Sequence, residues 1–287
     1  MGPVAVLVPA GPGHAERERV LDLLDALATH EPGLGDIAIV DDDRRPRSAW
    51  PATVDVIANP RLGRGIGTLG GTVAATLAGL AHLRWTAPGA WVLRLDADAL
   101  VVGPVVARIE AAWRPGDGIL GSCSQTCNGE PRDVREWRRE VRRHARPVWA
   151  WRRPPRRPWF VRPADPFVRA VLLQARAAGY AAGEHCLAAG CALSAALVGA
   201  LSSRGWLERP ERWLGARLGD DIVLGAKSRA CGLALRDCHA VFGLKHVGMA
   251  DTPARLLERG FSVVHSTKND PVLDEASIRS FFAAARA

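Results

Sequence analysis

The stretch Trp91-Val92-Leu93-Arg94-Leu95-Asp96-Ala97-Asp98-Ala99-Leu100-Val101 carries the sharpest chemical signal in the chain. An apolar strand runs into D-x-D and returns to apolar residues. If the chain stays extended there, positions 96 and 98 point the same way, and two carboxylates can share one hard cation. The plainer reading of a bare D-x-D is a solvated strand end. Two further acid clusters stand out, Asp41-Asp42-Asp43 and Asp220-Asp221. Carboxylates of the first cluster can accept from the N–H or hydroxyl groups of a ligand; a solvated turn suits at least one of the three. Arg61 and Arg64 are charge-assisted donors suited to a diphosphate. Asp221 opens a helical run, where free N–H groups and the helix dipole favour an ionised carboxylate. It reads both as a general base for a hydroxyl proton and as a plain helix cap, with Asp220 as the alternative base.

The elements that must position these residues alternate in type. Residues 3–9 are a short apolar run bounded by prolines, which predicts a buried strand. Residues 15–29 place Val20, Leu23, Leu24 and Leu27 on a helical period. Strands are predicted over 36–40, 54–58 and 90–95, and a Gly-rich turn at 63–71 leads into a helix over 72–83. This βαβαβ order predicts an α/β fold with a mostly parallel central sheet flanked by helices. Ligands in such sheets sit beyond the carboxyl ends of the strands, where Asp41 and Asp96 fall. Further on, a helix is expected over 166–178 and a strand over 261–264, ending at His265. One domain over 1–287 is expected, in two halves, 1–103 and 104–287.

The net charge of +8 is local. Residues 132–163 hold twelve arginines against three acids, so this insert-like segment outweighs the whole chain's excess. It also holds Trp137, Trp149, Trp151 and Trp159, and it reads as an insertion or long hairpin. Arginine with aromatics suits phosphate and stacking contacts, anionic lipid, or an acceptor pocket; a partly solvated insert is the bland alternative. The six cysteines form no C-x-x-C pair and are expected to be reduced and buried. The N-terminus has no basic region before its apolar run, and the longest uncharged apolar stretch, 186–201, is shorter than the ~20 residues of a membrane helix. A soluble, cytoplasmic protein is the expectation.

Several motifs in order resemble those of the GT-A glycosyltransferases, which use nucleotide sugars. Asp96-Ala97-Asp98 resembles their D-x-D. Val8-Pro9 and Val40-Asp41-Asp42-Asp43 resemble the nucleotide-contacting strand ends. Asn59-Pro60-Arg61-Leu62-Gly63-Arg64-Gly65 resembles the N-x-G-x-G segment under the donor, and Gly190-Cys191-Ala192-Leu193-Ser194 the acceptor-side Gly…Ser turn. Gly219-Asp220-Asp221-Ile222-Val223-Leu224-Gly225 resembles the helix start that carries the base in inverting members, with Asp220 where Glu is usual. Val263-Val264-His265-Ser266-Thr267-Lys268 resembles the C-terminal metal-binding segment. The resemblance implies Mn²⁺ or Mg²⁺ on Asp96, Asp98 and His265. It places a nucleotide-sugar donor, UDP-linked by preference, on Pro9, Asp41, Asp42, Asp43, Asn59, Arg61, Arg64 and Asp96. It gives catalysis to Asp221 or Asp220 acting on an acceptor hydroxyl. The acceptor would be aromatic or acidic if the insert lines its pocket, and peripheral membrane contact is a further reading of the insert, ahead of nucleic acid. Two other readings stand beside this one. Gly11-Pro12-Gly13 with Arg17 resembles the phosphate loop of sugar nucleotidyltransferases, which also need a lysine on the phosphates, and the chain's three lysines all come late. A non-enzymatic Arg/Trp module for nucleic acid or membranes would need no acids at strand ends. The string Gly65-Ile66-Gly67-Thr68-Leu69-Gly70 fits G-x-G-x-x-G, but paired acids suit a metal better than a ribose.

Overall fold

A computed structural model describes residues 2–43, 50–62, 69–123, 126–127, 130–131, 133–145, 165–245, 248–268 and 270–286. Its first part is β1 (Val4–Ala10), α1 (His14–His30), β2 (Ile37–Asp41), β3 (Asp55–Ala58), α2 (Leu69–Thr86) and β4 (Trp91–Leu95). β1 pairs in parallel with β2 and β4, and β2 with β3. Parallel strands are covered on both faces, so both faces must be apolar. β1 obeys this with a period of two. Ala5 and Leu7 join Val73, Leu77 and Leu80 of α2 in one buried cluster, whereas Val6 and Val8 join Val20, Leu23 and Leu27 of α1 in another. Each such fully buried aliphatic side chain contributes about 1.5–3 kcal/mol over an exposed one. α2 is buried nearly all round because small residues face the sheet; at Gly79 a methyl would run into the Leu7 side chain.

The chain continues through β5 (Leu100–Val101), α3 (Val106–Ala112), β6 (Asp117–Gly121), β7 (Thr126–Cys127), β8 (Glu130–Pro131), α4 (Arg135–His144), α5 (Pro166–Ala177), β9 (Gly190–Leu193) and α6 (Ala195–Ser203). A 3₁₀ turn (Pro210–Trp213) precedes α7 (Asp220–Ala230), β10 (Ala234–Asp237), β11 (Phe242–Leu244), α8 (Pro253–Glu258), β12 (Val263–His265) and α9 (Glu275–Arg286). The main sheet has seven strands in the order β10-β6-β9-β4-β1-β2-β3. It is parallel except at β9, which runs antiparallel to both β4 and β6. The expected α/β class with a mostly parallel sheet therefore holds. A second sheet joins β11, β12 and β5.

Three expectations change in detail. Gly190–Leu193 is a central strand rather than a turn, and Ser194 caps α6 by accepting a hydrogen bond from the Leu197 amide at 3.2 Å. Cys123 and Cys186, expected as separate buried thiols, are brought into direct contact. The Leu187 amide bonds to the Ser122 carbonyl at 3.1 Å, which lays the end of β6 beside the chain at 186; Cys191, Cys231 and Cys238 are free. Within 132–163, residues 135–144 form helix α4, buried through Val141 and His144. Arg64, Trp149, Trp151 and Trp159 lie outside the described residues. Among the described residues, no helix is long and apolar enough to cross a membrane.

Candidate active site

Parallel β1, β2 and β4 all end at one edge, and a cleft of about 440 Å³ opens there. Pro9 from β1, Asp42 after β2, Asn59 and Arg61 after β3, and Asp96 and Asp98 after β4 line it. Arg61 donates to the Asp42 carboxylate, and Asn59 Oδ1 accepts from the Arg61 amide at 3.0 Å. That pair forms a fixed wall. Asp41 differs from its neighbour: it is buried, and its two oxygens accept from the Asp43 amide at 3.0 Å and from Trp50 Nε1 at 2.9 Å. Neither Asp41 nor Asp43 is among the lining residues.

The cluster expected to hold a metal is assembled by the second sheet. β5 follows Asp98 directly, and β12 pairs with it antiparallel, Val264 opposite Leu100 and Val263 opposite Val101. That register carries His265, next along β12, back to the D-x-D. Ligand atoms of Asp96, Asp98 and His265 all lie within 4.8 Å of one another. His265 Nε2 is 3.4 Å from Asp98 Oδ1 and 3.8 Å from Asp96 Oδ2. Its Nδ1 faces the Lys245 carbonyl at 3.0 Å. A carbonyl only accepts, so Nδ1 carries a proton; a protonated ring also donates from Nε2 to the carboxylates, and a neutral one presents its Nε2 lone pair to them. Two hard oxygens and one imidazole nitrogen fit Mg²⁺ or Mn²⁺, the nitrogen favouring Mn²⁺.

Electrostatics keep the cluster ionised. Burial alone would raise the Asp98 carboxyl, but His265, Lys268 and the Ser266 hydroxyl hold it well below the usual carboxylate range. Burial lowers His265, and the facing Asp98 more than offsets this and raises it. Lys268 Nζ stands 3.6 Å from Asp98 Oδ2 and 3.5 Å from Glu16 Oε1, at the rim of the cleft.

The two acids heading α7 have different settings. Asp220 is buried; its Oδ2 accepts from Thr76 Oγ1 at 2.7 Å and lies 2.8 Å from Arg94. Burial pushes its carboxyl up, against the pull of Arg94. Asp221 keeps part of its surface in solvent. Its Oδ1 accepts from the Ile222 amide at 2.7 Å, and its Oδ2 lies 3.6 Å from His185 Nε2. Burial, with Asp220, Asp96 and Asp221 close by, pushes the Cys191 thiol up to about 12.

Three residues that the sequence did not single out for a role take part. Arg94 is fully buried in β4 and reaches Asp96, Asp220 and the Ala188 carbonyl; the signal was one arginine inside an apolar strand. Lys268, late in the chain, lines the cleft, so its sequence position is no bar to a lysine at this site. His185 beside Asp221 had no local signal at all.

No family model and no curated protein matches the sequence. Solved structures share the fold. The galactosyltransferase LgtC, solved with donor and acceptor sugar analogs, superposes with a TM-score of 0.51 at 10% identity, covering 98% of this chain and 95% of that one. The bifunctional glycosyltransferase WbbM superposes with a TM-score of 0.51 at 10% identity over 99% of this chain; the overlap spans 50% of WbbM. The fold is thus GT-A-like, as the ordered motifs implied.

Proposed function

We propose that this protein is a metal-dependent glycosyltransferase that moves a sugar from a nucleotide diphosphate, UDP by preference, to an acceptor hydroxyl. The observation that carries the reading is the Asp96–Asp98–His265 cluster in a cleft at the carboxyl edge of a GT-A-like sheet. A divalent cation bound there supplies Lewis-acid neutralisation of the departing diphosphate. Lys268 adds a fixed positive charge at the same rim. Asp42 and Arg61 hold the cleft wall against which the nucleotide rests. Asp221 is the base, because Asp220 is committed to Arg94 and Thr76 while Asp221 retains solvent access. Attack from the Asp221 side inverts the anomeric centre. The basic face of α4 and the Arg/Trp segment after it suit an acidic or membrane-borne acceptor.

The test is a thermal-shift panel of nucleoside diphosphates and UDP-sugars with and without Mn²⁺, since a ligand that binds only the folded state raises its stability. Wild-type protein should show an Mn²⁺-dependent rise with UDP ligands. Asp98→Asn should melt as a folded protein and show none. An equal rise in Asp98→Asn or in EDTA sinks the metal reading. Release of pyrophosphate instead of UDP, with a sugar phosphate and UTP as substrates, would establish the nucleotidyltransferase reading in its place.

A further inference from the structure

We infer that His185 is a positioning residue for Asp221 and stores the proton taken from the acceptor, an inference that rests on the transfer reading above. The geometry begins at α7. Gly225 lies one turn beyond Asp221 on the same face, and a Cβ there would stand 2.8 Å from the Glu184 carbonyl oxygen and 3.4 Å from His185 Cα. The missing side chain lets residues 184 and 185 lie flat on the helix. The arm from Glu184 to Arg229, on the same helix, fixes that approach. Before it, Gly183 turns at φ +91°, a conformation that other residues rarely adopt, and packs against the start of α4. His185 is thereby buried beside Asp221, with Nε2 3.6 Å from Oδ2.

Its tautomer is set from behind. Nδ1 is 2.8 Å from the Gly183 carbonyl, which can only accept, so Nδ1 bears the proton. In the neutral form of that tautomer the Nε2 lone pair faces the Asp221 carboxylate. A carboxylate and a lone pair so placed have room for one proton between them. The 3.6 Å separation exceeds a hydrogen bond, as apo catalytic contacts often do, and a small side-chain rotation closes it. Two charged groups near the pair are matched elsewhere, Asp220 with Arg94 and Glu184 with Arg229. The buried Tyr180 hydroxyl completes the surroundings.

The step balances. The acceptor O–H bond breaks, and its proton passes to Asp221 Oδ2 and on to His185 Nε2. The freed oxygen pair forms the bond to the anomeric carbon. The bond from that carbon to the diphosphate oxygen breaks, and its electron pair leaves with the nucleoside diphosphate. The imidazolium then donates from both nitrogens, to Gly183 O and to Asp221. Asp221 touches the substrate; His185 acts through it.

The experiment follows UDP release from UDP-glucose, UDP-galactose and UDP-N-acetylglucosamine with Mn²⁺ and water as acceptor, in wild type, His185→Gln and His185→Ala. Both variants should lower kcat about 10²-fold or more with donor KM unchanged. Added imidazole should restore much of the loss in His185→Ala, which a purely structural role would not allow. Unchanged kcat, or a loss that imidazole leaves untouched, overturns the relay and leaves the transfer reading standing. No UDP release by wild type from any donor overturns the transfer reading and the relay with it. ¹⁵N spectra of histidine-labelled wild type at pH 8.5 add a readout that needs neither activity nor a variant fold. The expected tautomer has its proton on Nδ1 of His185, and a proton on Nε2 alone refutes the inference.

Discussion

Lys227 shows how one side chain can oppose the fold that contains it. It lies in the last turn of α7, fully buried, with Nζ donating to the Trp206 carbonyl at 2.7 Å and standing 4.9 Å from the centre of the Trp213 ring. The carbonyl and the ring face offset only part of the lost hydration. Burial therefore pushes its pKa down from 10.5 to about 7. Between these values the unfolded chain binds a proton that the folded chain has released, so this residue makes stability rise with pH from about 7 to 10.5. Buried Cys191 and Cys238, whose thiols are pushed up to about 12 and about 11, act in the opposite direction above pH 9. The comparison with a variant isolates the lysine. Lys227→Met should be more stable than wild type at pH 7, and the gap should shrink by pH 9.5. Urea unfolding at the two pH values measures it; a gap independent of pH contradicts the account.

At the scale of elements, α2 is held by what its glycines lack. At Gly70 a methyl would collide with the Trp213 carbonyl oxygen, a backbone atom that cannot rotate away. Helix propensity alone favours Gly70→Ala by about 1 kcal/mol. Overpacking against a fixed carbonyl costs about 1–3 kcal/mol, so the collision should win and the melting temperature should fall. A rise in Tm would show that the turn at Pro210–Trp213 yields easily. That turn matters to the site, because α2 also carries Thr76 to Asp220. The helix was legible in the run of small residues after 71, and its start at Leu69 differs from the expected Thr72 by less than a turn. Its contact with residues 210–213 had no trace in the local sequence.

At the scale of the whole molecule, the sheet joins the two halves. β9 comes from residues beyond 104, yet it lies between β4 and β6 and hydrogen-bonds to both. Cut at 103, the first half would expose the whole β4 edge, and its apolar faces would lose their cover. We expect cooperative unfolding as one domain: tryptophan fluorescence and far-UV circular dichroism should give coincident denaturation curves, and residues 1–103 alone should not fold. Two separated transitions would contradict this and divide the chain into independent units.

What the sequence determined by itself was local and periodic. The apolar runs of β1, β2 and β4 read as buried parallel strands because both of their faces are covered. The acid clusters at Asp41–Asp43 and Asp96–Asp98 read as one edge because parallel strands deliver their carboxyl ends there. What only the tertiary structure decided depended on contacts between residues far apart in the chain. β6 and β9 are short, with glycines at 118, 121 and 190, and their strand character comes from the ladder they enter. His265 reaches the D-x-D through the antiparallel register of β12 on β5, across more than 160 residues. Asp41 looked equivalent to Asp42, yet an indole from Trp50 and the Asp43 amide occupy its oxygens. Asp220 and Asp221 are adjacent and identical in type. They separate in setting because one side of a helix faces a buried guanidinium while the next is partly open to solvent beside the buried His185, and helix rotation at 100° per residue is fixed only when the helix has packed.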